Sequence, residues 1–318
     1  MTVPFASPLA AEIEAFLRFK RALGHRYQRA EYTLLNFDRF AERQVTSPGP
    51  IDMRRLILEW LASANCRKPV SVTNELGVIR QFCLFQRRTD PDAFVPGREW
   101  APQSTESDFL PHVLSEAEVR LLLAMAEKIR RPALISATAR ALILVLYCTG
   151  LRIGEALRLE LCDVDLSEAT FYIRDSKGRS RWVPFRGDLA DELKLYRRVR
   201  DPLASVAPDA PLFVRPNGER LSMGAASGLL RRLLRKAGLK PQRGRRGPRP
   251  YDLRHTFAVH RLTSWYRDGV EIASKLPWLS AYMGHQDIVG TEVYLTATPE
   301  LLEIVGRRFE SRLAETDV

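Results

Sequence analysis

The sequence predicts a mainly α-helical chain of two domains, with a small antiparallel β-sheet confined to the second. Three observations predict it. Apolar residues recur at helical spacing through the first hundred positions. One pair of stretches rich in β-branched and aromatic residues, 169–174 and 180–185, flanks the turn residues 175–178 as the strands of a hairpin would. Between these regions, residues 91–111 hold four prolines and little periodicity. The length of 318 residues also suits two domains at very roughly 150 residues each.

Taken in order, Ser7-Pro8 reads as a cap followed by proline at the first helical position. Leu9, Ile13, Phe16, Leu17 and Leu23 then recur at helical spacing, and Gly24 stops the helix. A second helix carries Tyr32, Leu35, Phe37 and Phe40, and a third Met53, Leu56, Ile57, Trp60 and Leu61. A fourth spans about residues 71–86, with Leu76, Ile79, Phe82 and Phe85 on one side. Residues 1–90 are therefore a helical bundle whose aromatic side chains form its core, and 91–111 a linker.

The second domain, 112–318, opens on a capping box from Ser115 to Glu118, ahead of Val119 and Leu121 to Leu123. Residues 139–147 are too uniformly apolar for a surface helix, and Thr149-Gly150 ends them. Another helix starts within 151–160, and the hairpin follows. Residues 212–214 suggest a third short strand. Everything after Met223 reads as helix or loop, closing with an amphipathic helix over 299–313 that carries Leu301, Leu302, Ile304, Val305 and Phe309.

Charge narrows the function. The chain has 49 Lys and Arg against 38 Asp and Glu, a net of +11. Ten of those cations lie between Arg220 and Tyr251, a stretch without Asp or Glu, and the rest of the chain is left at +1. Cations without a local counter-ion repel one another, and an external polyanion relieves that cost. Gly244, Gly247, Pro248 and Pro250 make the second half of the stretch a loop, which favours nucleic acid over a basic membrane helix. No apolar run approaches the ~20 residues that span a bilayer. The N-terminus lacks a signal-peptide pattern, so a cytoplasmic protein is expected. Cys66, Cys83, Cys148 and Cys162 form no CxxC pair and read as buried free thiols.

Familiar catalytic motifs are missing: there is no P-loop, no HExxH and no histidine spacing that suggests a metal cage. What remains is a set of cations around one tyrosine. Arg152 sits at a helix start with Glu155 three residues on, placed to orient its guanidinium. Lys177 is at the hairpin tip. Arg254 lies near another helix start, directly after the basic loop, and His285 precedes Tyr294 by nine residues. Taken alone, each has an ordinary reading as a surface pair, a solvated turn lysine or a core tyrosine.

Together they are more specific. TGLRIGEAL (149–157), DSKGRSR (175–181), YDLRHTFA (251–258) and MGHQDIVGTEVYL (283–295) resemble, in order, the first-arginine, hairpin-lysine, second-arginine and nucleophile boxes of the tyrosine recombinase (phage integrase) family. LPHVLSEAEV (110–119) is similar to the usual opening of its catalytic domain. The helix over 71–86 resembles the last major helix of its core-binding domain. The resemblance implies a SAM-like core-binding domain over 1–90 and a mixed α/β catalytic domain over 112–318.

It also implies a chemistry. In the family a tyrosine hydroxyl attacks a DNA phosphodiester, forms a 3′-phosphotyrosyl intermediate and releases a 5′-hydroxyl, which another strand's end then replaces. Bond energy is conserved, so neither metal nor ATP is required. Arg152 and Arg254 match the residues that bind the non-bridging oxygens, Lys177 the one that protonates the departing 5′-oxygen, His285 one that hydrogen-bonds phosphate, and Tyr294 the nucleophile. Glu155 is expected to orient a cation. One position departs: the family usually has histidine three residues before the second arginine, and here Tyr251 stands there. Tyrosine can donate a hydrogen bond to phosphate but is a poor base near neutral pH. Tyr251 is therefore expected to keep the hydrogen bond and not the proton transfer.

The expected partner is double-stranded DNA, gripped by Arg179, Arg231, Arg232, Arg235, Lys236, Arg243, Arg245, Arg246 and Arg249, mainly through its backbone. The resemblance further implies four protomers on two DNA sites, with room for partner recombinases, in association with the nucleoid. Two other functions fit the same residues: a DNA-binding protein of this fold that has lost turnover, and a type IB topoisomerase-like relaxing enzyme.

Overall fold

The computed structural model describes residues 5–44, 49, 51–63, 67–102, 111–130, 132–176, 179–244, 246–285, 287 and 289–292. The chain divides into two compact units, Met1–Asp108 and Phe109–Val318.

In the first unit, helices α1 (Ala10–Ala22), α2 (Gln28–Gln44), α3 (Met53–Ala62) and α4 (Pro69–Gln86) enclose an aromatic core. Phe16 meets Phe82 edge-on, and Trp60 meets both Phe37 and Phe40 in the same way. Tyr32, expected on the apolar face of α2, is instead exposed. It lies about 200° around the helix from the buried Leu34, at ~100° per residue. Ser7 does not cap α1, which begins later, after Leu9. Its hydroxyl donates to the buried Asp38 of α2 at 2.5 Å, and the Ala6 and Ser7 amides donate to the same carboxylate. Three donors make that buried charge tolerable. Part of the expected linker packs on this bundle: the Phe94 and Trp100 rings meet at a tilt, with centroids 5.2 Å apart, and lie against its core.

The second unit is built around α6 (Ala133–Thr149), which packs against α5 (Glu116–Glu127), α8 (Gly187–Arg200) and α10 (Asp252–Arg267). A helix so enclosed must be largely apolar, as its sequence is; its one charged residue, Arg140, pairs with Glu127 and Glu192. The expected capping box closes α5: Ser115 Oγ accepts from the Glu118 amide and Glu118 from the Ser115 amide. The helix α7 (Ile153–Arg158) follows a left-handed Gly150. Strands β1 (Val164–Asp165), β2 (Thr170–Ser176) and β3 (Arg179–Pro184) form an antiparallel sheet in that order. The third strand is thus Val164–Asp165, not 212–214. Leu212, Phe213 and Val214 are buried in the core; Val214 forms only an isolated bridge with Arg220. Their apolarity reflects core packing, which a short run cannot distinguish from sheet pairing.

The remaining helices are α9 (Met223–Lys236), α11 (Ile272–Met283) and the short α12 (Val289–Glu292). The segment expected as a C-terminal helix, 299–313, lies outside the described residues, as does Cys66. Cys83 is buried, which pushes its thiol up to about 12, and Cys148 is half-buried. Cys162, expected inside, is exposed and meets the Arg174 guanidinium. No described helix is long and apolar enough to cross a membrane.

Candidate active site

Two left-handed glycines set up the site. Gly150 ends α6 at φ +61, and a Cβ there would sit 2.3 Å from the Phe257 ring of α10. Only glycine permits both the turn and the contact. The turn presents Arg152 at the start of α7 and the Gly150 carbonyl, which accepts from Arg254 at 2.6 Å. Gly284 ends α11 at φ +69. The last carbonyls of α11 then point out unpaired by helix geometry, at the negative end of its dipole.

Guanidiniums from three elements fill that end. Arg152, at the N-cap of α7, donates to the Gly284 carbonyl at 3.0 Å. Arg254 of α10 donates to the Met283 carbonyl at 2.8 Å. Arg181 of β3 donates to the Tyr282 carbonyl at 2.8 Å and the Met283 carbonyl at 3.2 Å. Glu155, with only 1% of its side chain exposed, bridges Arg152 at 2.8 Å and Arg181 at 2.9 Å. It also accepts from the Arg152 amide, which fixes the start of α7. A lone buried carboxylate is costly; here two cations and an amide compensate it.

His285 completes the cluster. Its Nε2 lies 2.8 Å from Arg254 Nη2, and its Nδ1 lies 2.7 Å from the hydroxyl of the buried Thr291. A guanidinium can only donate, so Nε2 accepts and the ring proton sits on Nδ1, directed at Thr291. The Tyr251 ring is 41% exposed and leans edge-on against His255, with centroids 5.0 Å apart. Burial holds His255 below the usual histidine range against the opposing pull of Asp252, with Arg249 and Arg254 adding to the fall.

Arg152, Glu155, Arg254 and His285, expected from sequence, therefore come together. Lys177 and Tyr294 lie outside the described residues, as does Arg245. Sequence reasoning missed Arg181 and Thr291. The available signal for Arg181 was alternation: Val183, two positions on, is an obvious inward-facing residue, and Arg181 shares its face.

The basic stretch is less uniform than its composition suggests. Within it Arg231, Arg232, Lys236, Arg243 and Arg246 are exposed, as is Arg179 at the start of β3, and Arg235 is half-buried, with its Nε on the Pro241 carbonyl. Two cations find counter-ions outside the stretch, correcting the expectation of none nearby: Arg220 pairs with Glu160 at 3.1 Å and Arg249 with Asp252 at 3.0 Å. Lys240 is buried. Its ammonium donates to the carbonyls of Arg246, Gly247 and Pro248, organising the loop from inside. Burial, with Arg235 nearby, lowers its pKa.

The phage integrase family pattern matches residues 112–300. The chain is 32% identical over 306 residues to the Sinorhizobium fredii protein y4rB, an integrase/recombinase by name, covering 94% of this chain and 96% of that one. It is 32% identical over 201 residues to tyrosine recombinase XerA of Pyrococcus furiosus, covering 61% of this chain and 60% of XerA. Among solved structures, XerH site-specific recombinase bound to a palindromic difH substrate matches with a TM-score of 0.68 at 21% identity, over 88% of this chain and 79% of that one. The chain belongs to the phage integrase family and is a tyrosine recombinase.

Proposed function

We propose that this protein is a site-specific DNA recombinase that cuts and rejoins double-stranded DNA through a 3′-phosphotyrosyl bond on Tyr294. The observation that carries the reading is the meeting of Arg152 and Arg254, from separate helices, at one carbonyl edge beside His285. Phosphoryl transfer needs charge placed on the non-bridging oxygens more than any other protein contribution. Two arginine forks supply it at any physiological pH.

In the proposed step, the Tyr294 hydroxyl gives its proton to solvent as its oxygen bonds to phosphorus, and the bond from phosphorus to the 5′-oxygen breaks. Lys177 delivers a proton to that oxygen. Arg152 and Arg254 hold the phosphate, His285 steadies the Arg254 fork by accepting from it rather than donating to the phosphate, and Tyr251 contributes a hydrogen bond without acting as the base. The second strand's 5′-hydroxyl reverses the step, so the phosphodiester energy is retained and the cycle uses neither metal nor ATP. Four protomers on two DNA sites would exchange both strands.

Incubation with a nicked duplex built from the DNA flanking its own coding sequence tests the reading. A denaturation-resistant protein–DNA adduct is expected, and Tyr294→Phe is expected to lose it. Binding to the duplex with no adduct from the unmodified protein would instead favour a DNA-binding protein without turnover.

A further inference from the structure

Arg181 lies outside the residues to which the mechanism assigns a role, yet it sits at the joint of the pocket. Each phosphate-binding arginine is held by a group that Arg181 also holds. Glu155 is shared between Arg152 and Arg181, at 2.8 and 2.9 Å. The Met283 carbonyl is shared between Arg254 and Arg181, at 2.8 and 3.2 Å. Arg181 donates in addition to the Tyr282 carbonyl. Its place is set by the sheet: it pairs with Ile173 on the face that also buries Phe171 and Val183, so β3 aims it inward. Its own side chain is only 12% exposed. A Cβ on Gly284 would lie 2.6 Å from Arg181 Nη1, so the end of α11 approaches this guanidinium as closely as only glycine allows.

We propose that Arg181 is a positioning residue for phosphoryl transfer. Its planar fork spaces Glu155 from the terminal carbonyls of α11, and so sets how far apart Arg152 and Arg254 stand and how they are turned. It acts through Glu155 and Met283 rather than on the phosphate. Lysine cannot substitute, because an ammonium radiates its donors from one atom and cannot hold two partners in a fixed plane. The proposal rests on the recombinase reading.

The test is single-turnover cleavage of the nicked duplex at saturating protein, with DNA affinity and thermal unfolding measured on the same variants. Arg181→Lys is expected to cleave about 100-fold more slowly, the scale of a small misplacement of catalytic groups, with affinity within about threefold. Glu155→Gln leaves Arg181 in place and is expected to slow cleavage comparably. The double variant should be no slower than the slower single one, because both changes cut the same link. A normal rate in Arg181→Lys, a loss explained wholly by weaker binding, or effects that multiply in the double variant would each overturn the proposal. If Arg181→Lys does not fold, Glu155→Gln decides: unchanged cleavage overturns the proposal, and slowed cleavage at unchanged affinity supports it. An unmodified protein that forms no adduct overturns the recombinase reading and this proposal with it, whereas an active parent with a full-rate Arg181→Lys overturns the proposal alone.

Discussion

A guanidinium has no lone pair to offer, and that fact sets the state of His285. With Nε2 accepting from Arg254, the ring proton belongs on Nδ1, and Thr291 keeps it there. Thr291→Val should therefore slow cleavage about tenfold, the scale of one lost hydrogen bond, and Thr291→Ser should restore it. Ring nitrogen shifts in an NMR spectrum should report an Nδ1-protonated His285 in the parent and in Thr291→Ser, but a mixed state in Thr291→Val. At Tyr251 the expectation concerns the hydroxyl. Tyr251→Phe should slow cleavage, whereas Tyr251→His should preserve or raise it; intact cleavage in the first and none in the second would contradict the assigned hydrogen bond. At this scale the sequence was informative wherever motif spacing identifies a residue, as for Arg152, Glu155, Arg254 and His285. Alternation with Val183 marks Arg181 as inward-facing, but its partners are carbonyls about a hundred residues away, which local spacing does not encode.

At the scale of elements, the end of α11 and the basic loop carry most of the consequences. Gly284→Ala forces a left-handed alanine, costing about 1–2 kcal/mol, and pushes on Arg181. It should lower the melting temperature and slow cleavage together, with DNA affinity changed little. Lys240→Met leaves the loop carbonyls of residues 246–248 without their internal donor. Because the loop presents Arg243 and Arg246, the variant should bind DNA about tenfold more weakly, the scale of one lost charge-assisted hydrogen bond, yet cleave at a near-normal rate once saturated. A slowed rate at saturation would place Lys240 in the active site instead. The elements themselves were mostly legible. The capping box on α5, the apolar α6 and the hairpin each carry a local signature with one structural meaning. The apolarity of 212–214 serves a buried core segment rather than a strand, and the exposed Tyr32 shows that helical spacing alone does not fix which face is inside.

At the scale of the molecule, a net charge of +11 becomes a statement about a few side chains. The basic stretch contains cations that are already satisfied, such as Arg220 on Glu160 and the buried Lys240, and cations that are exposed, such as Arg231, Arg232 and Arg246. Only the exposed ones should release counter-ions on binding DNA. Arg231→Ala and Arg246→Ala should each reduce the slope of log affinity against log salt by about one, and Arg220→Ala should leave it unchanged. Composition pointed to residues 220–251 as a candidate polyanion-binding stretch but could not sort its members, because counter-ions such as Glu160 and Asp252 come from outside it. In the proposed reaction, DNA is cut by Tyr294 through charge held at the end of α11. Peptide mapping of the trapped adduct by mass spectrometry, formed in excess chelator and without ATP, tests it most directly. The account predicts a DNA 3′-phosphate on the peptide containing Tyr294, and it is contradicted by attachment to any other residue or by an adduct that forms only when metal or ATP is restored.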